Sequence, residues 1–76
     1  MLSDELRKIR QKTLLSQTDF AKAIGVSYST INRWETGKSK PNIAAMRNIK
    51  AFCEQQKLSY ETIENEWLKK ADSELR

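Results

Sequence analysis

Apolar residues recur along the chain three and four positions apart, which is the spacing of one face of a helix. Runs of alternating apolar and polar residues, which are typical of strands, are missing, and only two glycines and one proline interrupt the chain. This pattern predicts an all-α fold of five helices in a single domain over residues 1–76. We expect its core in residues 2–53 and a C-terminal helix over about residues 60–75.

The first two predicted helices are short, and each begins at a polar residue. Ser3 is expected to cap the first, which runs to about Lys12, and Ser16 with Asp19 resembles a capping box at the second. Gly25 suits a backbone with positive φ just past the second helix. The predicted inward side chains of both helices are Leu2, Leu6, Ile9, Phe20, Ala21 and Ile24.

The fourth and fifth predicted helices follow Pro41 and Ser59. Pro41 and Asn42 open the fourth, and its predicted inward residues are Met46, Ile49, Phe52 and Cys53. The fifth carries the stripe Ile63, Trp67 and Ala71. Large apolar residues are usually buried, which favours the core for Ile63 and Trp67; the alternative is that the end of this helix, with Leu68 and Leu75, meets a second copy of the chain.

The third predicted helix has two unlike faces. It runs from a Ser27 cap to about Glu35, stops at Gly37, and forms a helix-turn-helix with the second helix and the turn at Gly25. Four side chains fall within an arc of about 140°, here called the outer arc: Tyr28, Ser29, Asn32 and Arg33. The opposite side carries Thr30, Ile31 and Trp34, which are expected to face inward.

The outer arc has the chemistry to read base edges in the major groove. Arg33 can donate two hydrogen bonds to guanine O6 and N7, and Asn32 can pair with adenine N6 and N7. Tyr28 and Ser29 lie at the helix start, and Tyr28 suits either a phosphate or a thymine methyl group. An ordinary solvated helix face has a similar composition, and that alternative stays open.

The charge is divided unevenly along the chain. Residues 1–50 carry ten Lys or Arg and four Asp or Glu, a net of +6, whereas residues 51–76 carry four and six, a net of −2. The excess of positive charge in residues 1–50 favours a polyanion as the partner of this part of the chain, although solvated basic faces are also common.

The composition argues against an enzyme, a metal centre or a membrane protein. No histidine is present to activate the single cysteine, Cys53, which we interpret as a small core hydrophobe. The chain has no Gly-rich phosphate loop, no carboxylate cluster for a metal and no apolar run of about 20 residues. We expect no cofactor and no membrane partner. A free thiol fits a reducing, intracellular setting, and the expected location is the cytoplasm, in association with the nucleoid.

Several segments match a known family in their spacing. They are Leu15-Ser16-Gln17, Phe20-Ala21, Ile24-Gly25-Val26-Ser27 and Thr30-Ile31-Asn32-Arg33-Trp34-Glu35-Thr36-Gly37. Together they resemble the phage-repressor type of helix-turn-helix, the family of lambda repressor and Cro, over about residues 2–53. The resemblance implies a five-helix lambda repressor-like domain that binds double-stranded DNA as a homodimer and regulates transcription, as a repressor or a controller.

The resemblance also implies a role for individual residues. It assigns base reading to Tyr28, Ser29, Asn32 and Arg33. It assigns backbone contacts to Gln17, Ser27, Lys38, Ser39 and Lys40, with a base edge as the alternative for Gln17 and a solubilising turn as the alternative for the loop at 38–40. It implies an ion pair between Arg10 and Glu35 that fixes the third helix and leaves Arg10 out of the DNA contacts.

One departure and one alternative function accompany the resemblance. The family usually ends its fourth helix with a small residue and glycine, but this chain has a polar stretch at residues 54–58, which puts the dimer geometry in doubt. Antitoxins and other protein-interaction modules resemble the same fold, with or without DNA binding, so a protein partner is the alternative. The outer arc beside Lys38 and Lys40 favours DNA.

Overall fold

The computed structural model describes the backbone of residues 1–75 and the side chains of residues 1–69. The elements are α1 (Leu2–Lys12), α2 (Gln17–Ile24), α3 (Tyr28–Glu35), α4 (Ile43–Gln55) and α5 (Glu61–Leu75). No strand occurs in the backbone so described. The predicted all-α fold of five helices is confirmed.

Side-chain caps set the start of three helices. Ser16 Oγ, Ser27 Oγ and Asn42 Oδ1 each accept a hydrogen bond from the backbone N–H three residues further along the chain. Each bond satisfies an N–H group that a helix start leaves without a partner, and each stabilises the fold by about 1 kcal/mol. The predictions of caps at Ser16 and Ser27 and of a helix start at Asn42 are confirmed.

The predicted start of α1 is wrong, and the start of α5 differs from its prediction by one or two residues. α1 begins at Leu2 without a side-chain cap bond, so Ser3 lies inside its first turn. Leu2 is a buried core residue, and its burial favours an extra residue of helix ahead of Ser3. α5 begins at Glu61, two residues after Ser59 and one residue after the expected bound of about 60; Tyr60 O accepts the first helical bond, from Glu64 N–H.

Each of the four turns between the helices contains a residue with positive φ. Gly25 (φ 84°) and Gly37 (φ 78°) follow α2 and α3, as predicted. Leu14 (φ 59°) and Lys57 (φ 58°) follow α1 and α4, so larger residues occupy the conformation that glycine favours. Lys57 lies in the polar stretch 54–58, and α4 therefore ends there in a left-handed turn without a glycine.

All five helices contribute to one hydrophobic core. The buried residues are Leu2, Leu6, Ile9, Phe20, Ala21, Ile24, Ile31, Trp34, Ala45, Met46, Ile49, Phe52, Cys53 and Ile63. Phe20 and Phe52 meet edge to face with ring centroids 5.4 Å apart. Ile63 is buried and Trp67 packs against the core, as expected, whereas the side chains of Ala71 and Leu75 lie outside the described residues.

Cys53 is fully buried and carries a free thiol. Burial, followed by the nearby charge of Glu54, raises the pKa of this thiol, which keeps it protonated and suits a small core hydrophobe. None of the helices that the structure describes is long and apolar enough to cross a membrane.

Candidate nucleic-acid interface

The third helix presents its outer arc to solvent because its other face is anchored in the core. Ile31 is fully buried and Trp34 is 5% exposed. On the opposite side, Tyr28 is 52% exposed, and the outer arc as a whole lies at the surface, with Asn32 partly buried. The structure thus brings the four predicted base-reading side chains together on one accessible face of α3.

The turn between α2 and α3 is fixed by backbone and side-chain bonds. Gly25 and Val26 donate their N–H groups to Ala21 O at 2.8 and 3.0 Å, which closes the end of α2. Asn48 on α4 donates from Nδ2 to Ile24 O at 3.1 Å. The angle between α2 and α3 is therefore held from outside the motif, through a contact that sequence reasoning missed.

A buried polar cluster, here called the Glu35 network, ties the end of α3 to α1 and α2. The Glu35 carboxylate is 3% exposed and accepts bonds from Arg10 Nε at 2.7 Å and Arg10 Nη2 at 2.9 Å. It also accepts one from Gln17 Nε2 at 3.1 Å. Arg7 Nη2 donates to the backbone oxygen of Glu35 at 2.8 Å. The expected Arg10–Glu35 pair is present, and two further residues, Arg7 and Gln17, complete it.

The contacts within the Glu35 network favour the charged forms of Glu35 and Arg10. Burial by itself would raise the pKa of Glu35, but the hydrogen bonds from Arg10 and Gln17 and the charges of Arg10 and Arg7 lower it below its ordinary value. The hydrogen bond to Glu35 raises the pKa of Arg10, with burial opposing it. The Glu35 carboxylate and the Arg10 guanidinium are therefore ionised at neutral pH and attract each other between α3 and α1.

Gln17 has one predicted contact, with DNA, and one observed contact, with Glu35. It is the first residue of α2 and is partly buried. Its side-chain amide already donates to Glu35, so the Glu35 network fixes the position of the residue expected to contact the DNA backbone. Ser27 is similarly engaged, because its hydroxyl caps α3 and lies 2.9 Å from Thr30 Oγ1.

The basic loop after α3 is held against α5. Lys38 donates its backbone N–H to Arg33 O at 2.9 Å and keeps its side chain exposed. The Lys40 ammonium lies 5.6 Å from the ring centroid of Trp67, whose Nε1 donates to Pro41 O at 2.7 Å. Sequence reasoning missed this link, since no local signal joins a loop to a helix 26 residues away.

The polar residues of this face show no metal chemistry. Among the described side chains, no group of three or more His, Cys, Asp and Glu residues is arranged to hold a metal ion. What the face offers is hydrogen-bond donors and positive charge next to an exposed helix, which is the chemistry needed to bind a nucleic acid.

The chain matches a model of a known protein family. A family model described as helix-turn-helix matches residues 6–49, more than half of the chain. The matched range includes most of α1, all of α2 and α3, and α4 as far as Ile49. Searches of curated proteins and of solved structures find no match.

Proposed function

The chain belongs to the helix-turn-helix family of the lambda repressor and Cro type, and from this premise we propose that it is a sequence-specific regulator of transcription. The family is a non-enzymatic, DNA-binding one. The observation that carries the proposal is the outer arc, which is accessible while the opposite face of the same helix is locked into the core.

Base reading is assigned to the outer arc. An α-helix about 10–12 Å across fits the major groove, which is about 12 Å wide. Arg33 donates to guanine O6 and N7, and Asn32 pairs with adenine. Tyr28 and Ser29 lie at the N-terminal end of α3, which enters the groove first in this motif.

Affinity comes from contacts along the DNA backbone. Lys38 and Lys40 supply positive charge beside α3, while Gln17, Ser27 and Ser39 supply hydrogen bonds to phosphate oxygens. Each neutralised phosphate releases counterions, so binding weakens as salt rises. These contacts position the protein on the duplex and do not discriminate between sequences.

A single eight-residue α3 reads too few base pairs to define a useful site. We therefore assign the chain to a homodimer on a roughly palindromic operator, with the two recognition helices about 34 Å apart on one side of the duplex. Such a regulator works in the cytoplasm on the nucleoid.

Selection of bound sequences from random duplex DNA at two salt concentrations tests this function. The expected result is an enriched motif with two related halves, obtained at both concentrations. The double variant Asn32→Ala/Arg33→Ala should lose the motif, whereas Lys22→Ala, at an exposed position on α2, should keep it. Absence of any enriched motif with folded protein would contradict the proposal and would favour the alternative function, a protein-interaction module.

A further inference from the structure

A cavity of about 240 Å³ opens where the start of α1, the loop after α3 and the side of α5 meet. Its lining includes Leu2 from α1, Trp34, Gly37 and Ser39 from α3 and the loop, and Glu66 from α5. The outer arc contributes no residue to this lining. Drug-sized ligands usually occupy about 300–1,000 Å³, so the cavity suits a smaller molecule.

The indole N–H of Trp34 is a hydrogen-bond donor that the fold leaves unused. Trp34 is 5% exposed, yet its Nε1 donates to no acceptor within the described part of the chain. No buried side-chain nitrogen or oxygen in that part lacks a partner, so Nε1 must reach the accessible surface. Because Trp34 lines the cavity, this small exposed area opens into it. The indole of Trp67 differs, since its Nε1 already donates to Pro41 O at 2.7 Å.

Two further polar groups of the lining make no hydrogen bond with the described residues. Ser39 is partly buried, and its hydroxyl has neither a donor nor an acceptor among them. The Glu66 side chain is 26% exposed, and its Oε1 lies 3.8 Å from both the Met1 nitrogen and the Lys69 ammonium. Both distances exceed the range of a hydrogen bond, so the carboxylate keeps its capacity to accept one.

We propose that this cavity binds a small zwitterion, namely an α-amino acid with an apolar side chain. The donors of Trp34 and Ser39 belong to α3 and its loop and suit the carboxylate of the ligand, whereas Glu66 on α5 suits its ammonium group. Met1 and Leu2 line the α1 side of the cavity and suit the apolar side chain. An anion without an ammonium group would be repelled by Glu66, and a cation without a carboxylate would leave the Trp34 N–H without an acceptor.

The ligand also affects DNA binding, a step that rests on the proposed function. Ser39 follows Lys38 in the loop that is assigned to the DNA backbone. A serine hydroxyl has one hydrogen to donate, so it bonds either the ligand carboxylate or a phosphate oxygen. The carboxylate of the ligand also adds negative charge beside the loop, and this charge repels phosphate. The ligand therefore lowers the affinity for DNA, and DNA lowers the affinity for the ligand by the same factor.

The two indole N–H signals of the isotope-labelled chain, recorded without DNA, test the site directly. L-valine, L-leucine and L-phenylalanine are each titrated to about 20 mM, and at least one should shift the Trp34 signal along a saturable curve. The Trp67 signal should stay in place because its N–H already has an acceptor. Glu66→Gln should raise the ligand dissociation constant about tenfold. Glu64→Gln, at an exposed position of α5 outside the lining, is the matched control and should leave the constant unchanged.

Analogues of the bound amino acid test its chemical class. One analogue lacks the ammonium group and the other lacks the carboxylate; for L-leucine they are 4-methylpentanoate and isoamylamine. Each should bind about tenfold more weakly than the amino acid. A Trp34 signal that moves with none of the three amino acids overturns the proposal. An analogue that binds as tightly as the amino acid, or an unchanged dissociation constant for Glu66→Gln, overturns it as well.

Fluorescence anisotropy with the selected duplex tests the effect on DNA. The amino acid that moves the Trp34 signal should, at saturation, weaken DNA binding about fivefold. In Ser39→Ala the same addition should change the affinity less, because the shared hydroxyl is gone. An unchanged DNA affinity at saturation overturns the link to DNA. Because the indole titration is made without DNA, its result does not depend on the proposed function, and the two failures are distinguishable.

Discussion

The Glu35 network, which ends on α3, and the outer arc of the same helix use their polar groups in opposite ways. In the Glu35 network the donors of Arg7, Arg10 and Gln17 are directed at one buried residue. In the outer arc the donors of Arg33 and Tyr28 are exposed. The difference shows two uses of polar groups: buried charged groups with partners fix the position of α3, whereas exposed polar groups remain available to bind a ligand.

Removal of the Glu35 carboxylate is the strongest challenge to this comparison. Glu35→Ala leaves the Arg10 guanidinium, 17% exposed, without its bidentate partner. The free energy of unfolding should fall by about 3 kcal/mol, as expected when a buried pair loses one member. Urea denaturation measures it, with Glu54→Ala at an exposed position of α4 as the control. A loss as small as that of the control would remove the Glu35 network from a structural role.

Truncation of Arg33 should impair DNA binding instead of stability. Arg33→Ala should weaken binding to the selected site by about 2 kcal/mol and relax the preference at one base position, with almost no change in stability. Competition binding against single-base variants of the site measures the preference. An unchanged preference would exclude Arg33 from base reading.

Gln17 combines a bond in the Glu35 network with a predicted contact to the DNA backbone, so its truncation should affect both stability and binding. Gln17→Ala removes one bond to Glu35 and the predicted backbone contact. Stability and DNA affinity should each fall by about 1 kcal/mol. Denaturation and anisotropy on the same preparation separate the two losses. A loss confined to stability would place Gln17 in the Glu35 network alone.

Acid should reduce the contribution of the Glu35 network to the free energy of unfolding. The pKa of Glu35 is lowered in the folded chain from an ordinary value of 4.5, so the unfolded chain binds the extra proton more readily. This contribution to stability is present above pH 4.5 and is lost as pH falls through the lower folded pKa. Thermal denaturation across this range should show a steeper decline for the natural chain than for Glu35→Gln. Parallel declines would contradict the assignment.

The smallest expected effect belongs to the basic loop. Lys38→Ala or Lys40→Ala should weaken selected and random duplexes about equally, and should lower the slope of log affinity against log salt by about one unit. Titration at four or more salt concentrations gives the slope. A slope equal to that of the natural chain would show that the loop does not contact phosphate.

The helix ends show which features local sequence can predict. The bonds at Ser16, Ser27 and Asn42 each span three residues, so residue type and spacing suffice to predict them. Ser3 has the same residue type, yet it fails as a cap because the burial of Leu2 carries the helix past it. Tertiary burial there outweighs a local preference.

Contacts between distant segments show what local sequence cannot predict. Arg7 meets Glu35 O across 28 residues, Asn48 meets Ile24 O across 24, and Trp67 meets Pro41 O across 26. Their residue types are ordinary on helix surfaces, so only the packed fold distinguishes them. The Arg10–Glu35 pair was expected from the family resemblance, not from the spacing of the two residues.

Amide chemical shifts of the isotope-labelled chain, recorded as the selected duplex is added, test the entry of α3 into DNA most directly. We predict that the largest changes fall on Tyr28, Ser29, Asn32 and Arg33, with smaller ones at Gln17 and along residues 38–40. Chemical-shift changes confined to α4 and α5, with none in the outer arc at saturation, would contradict this account.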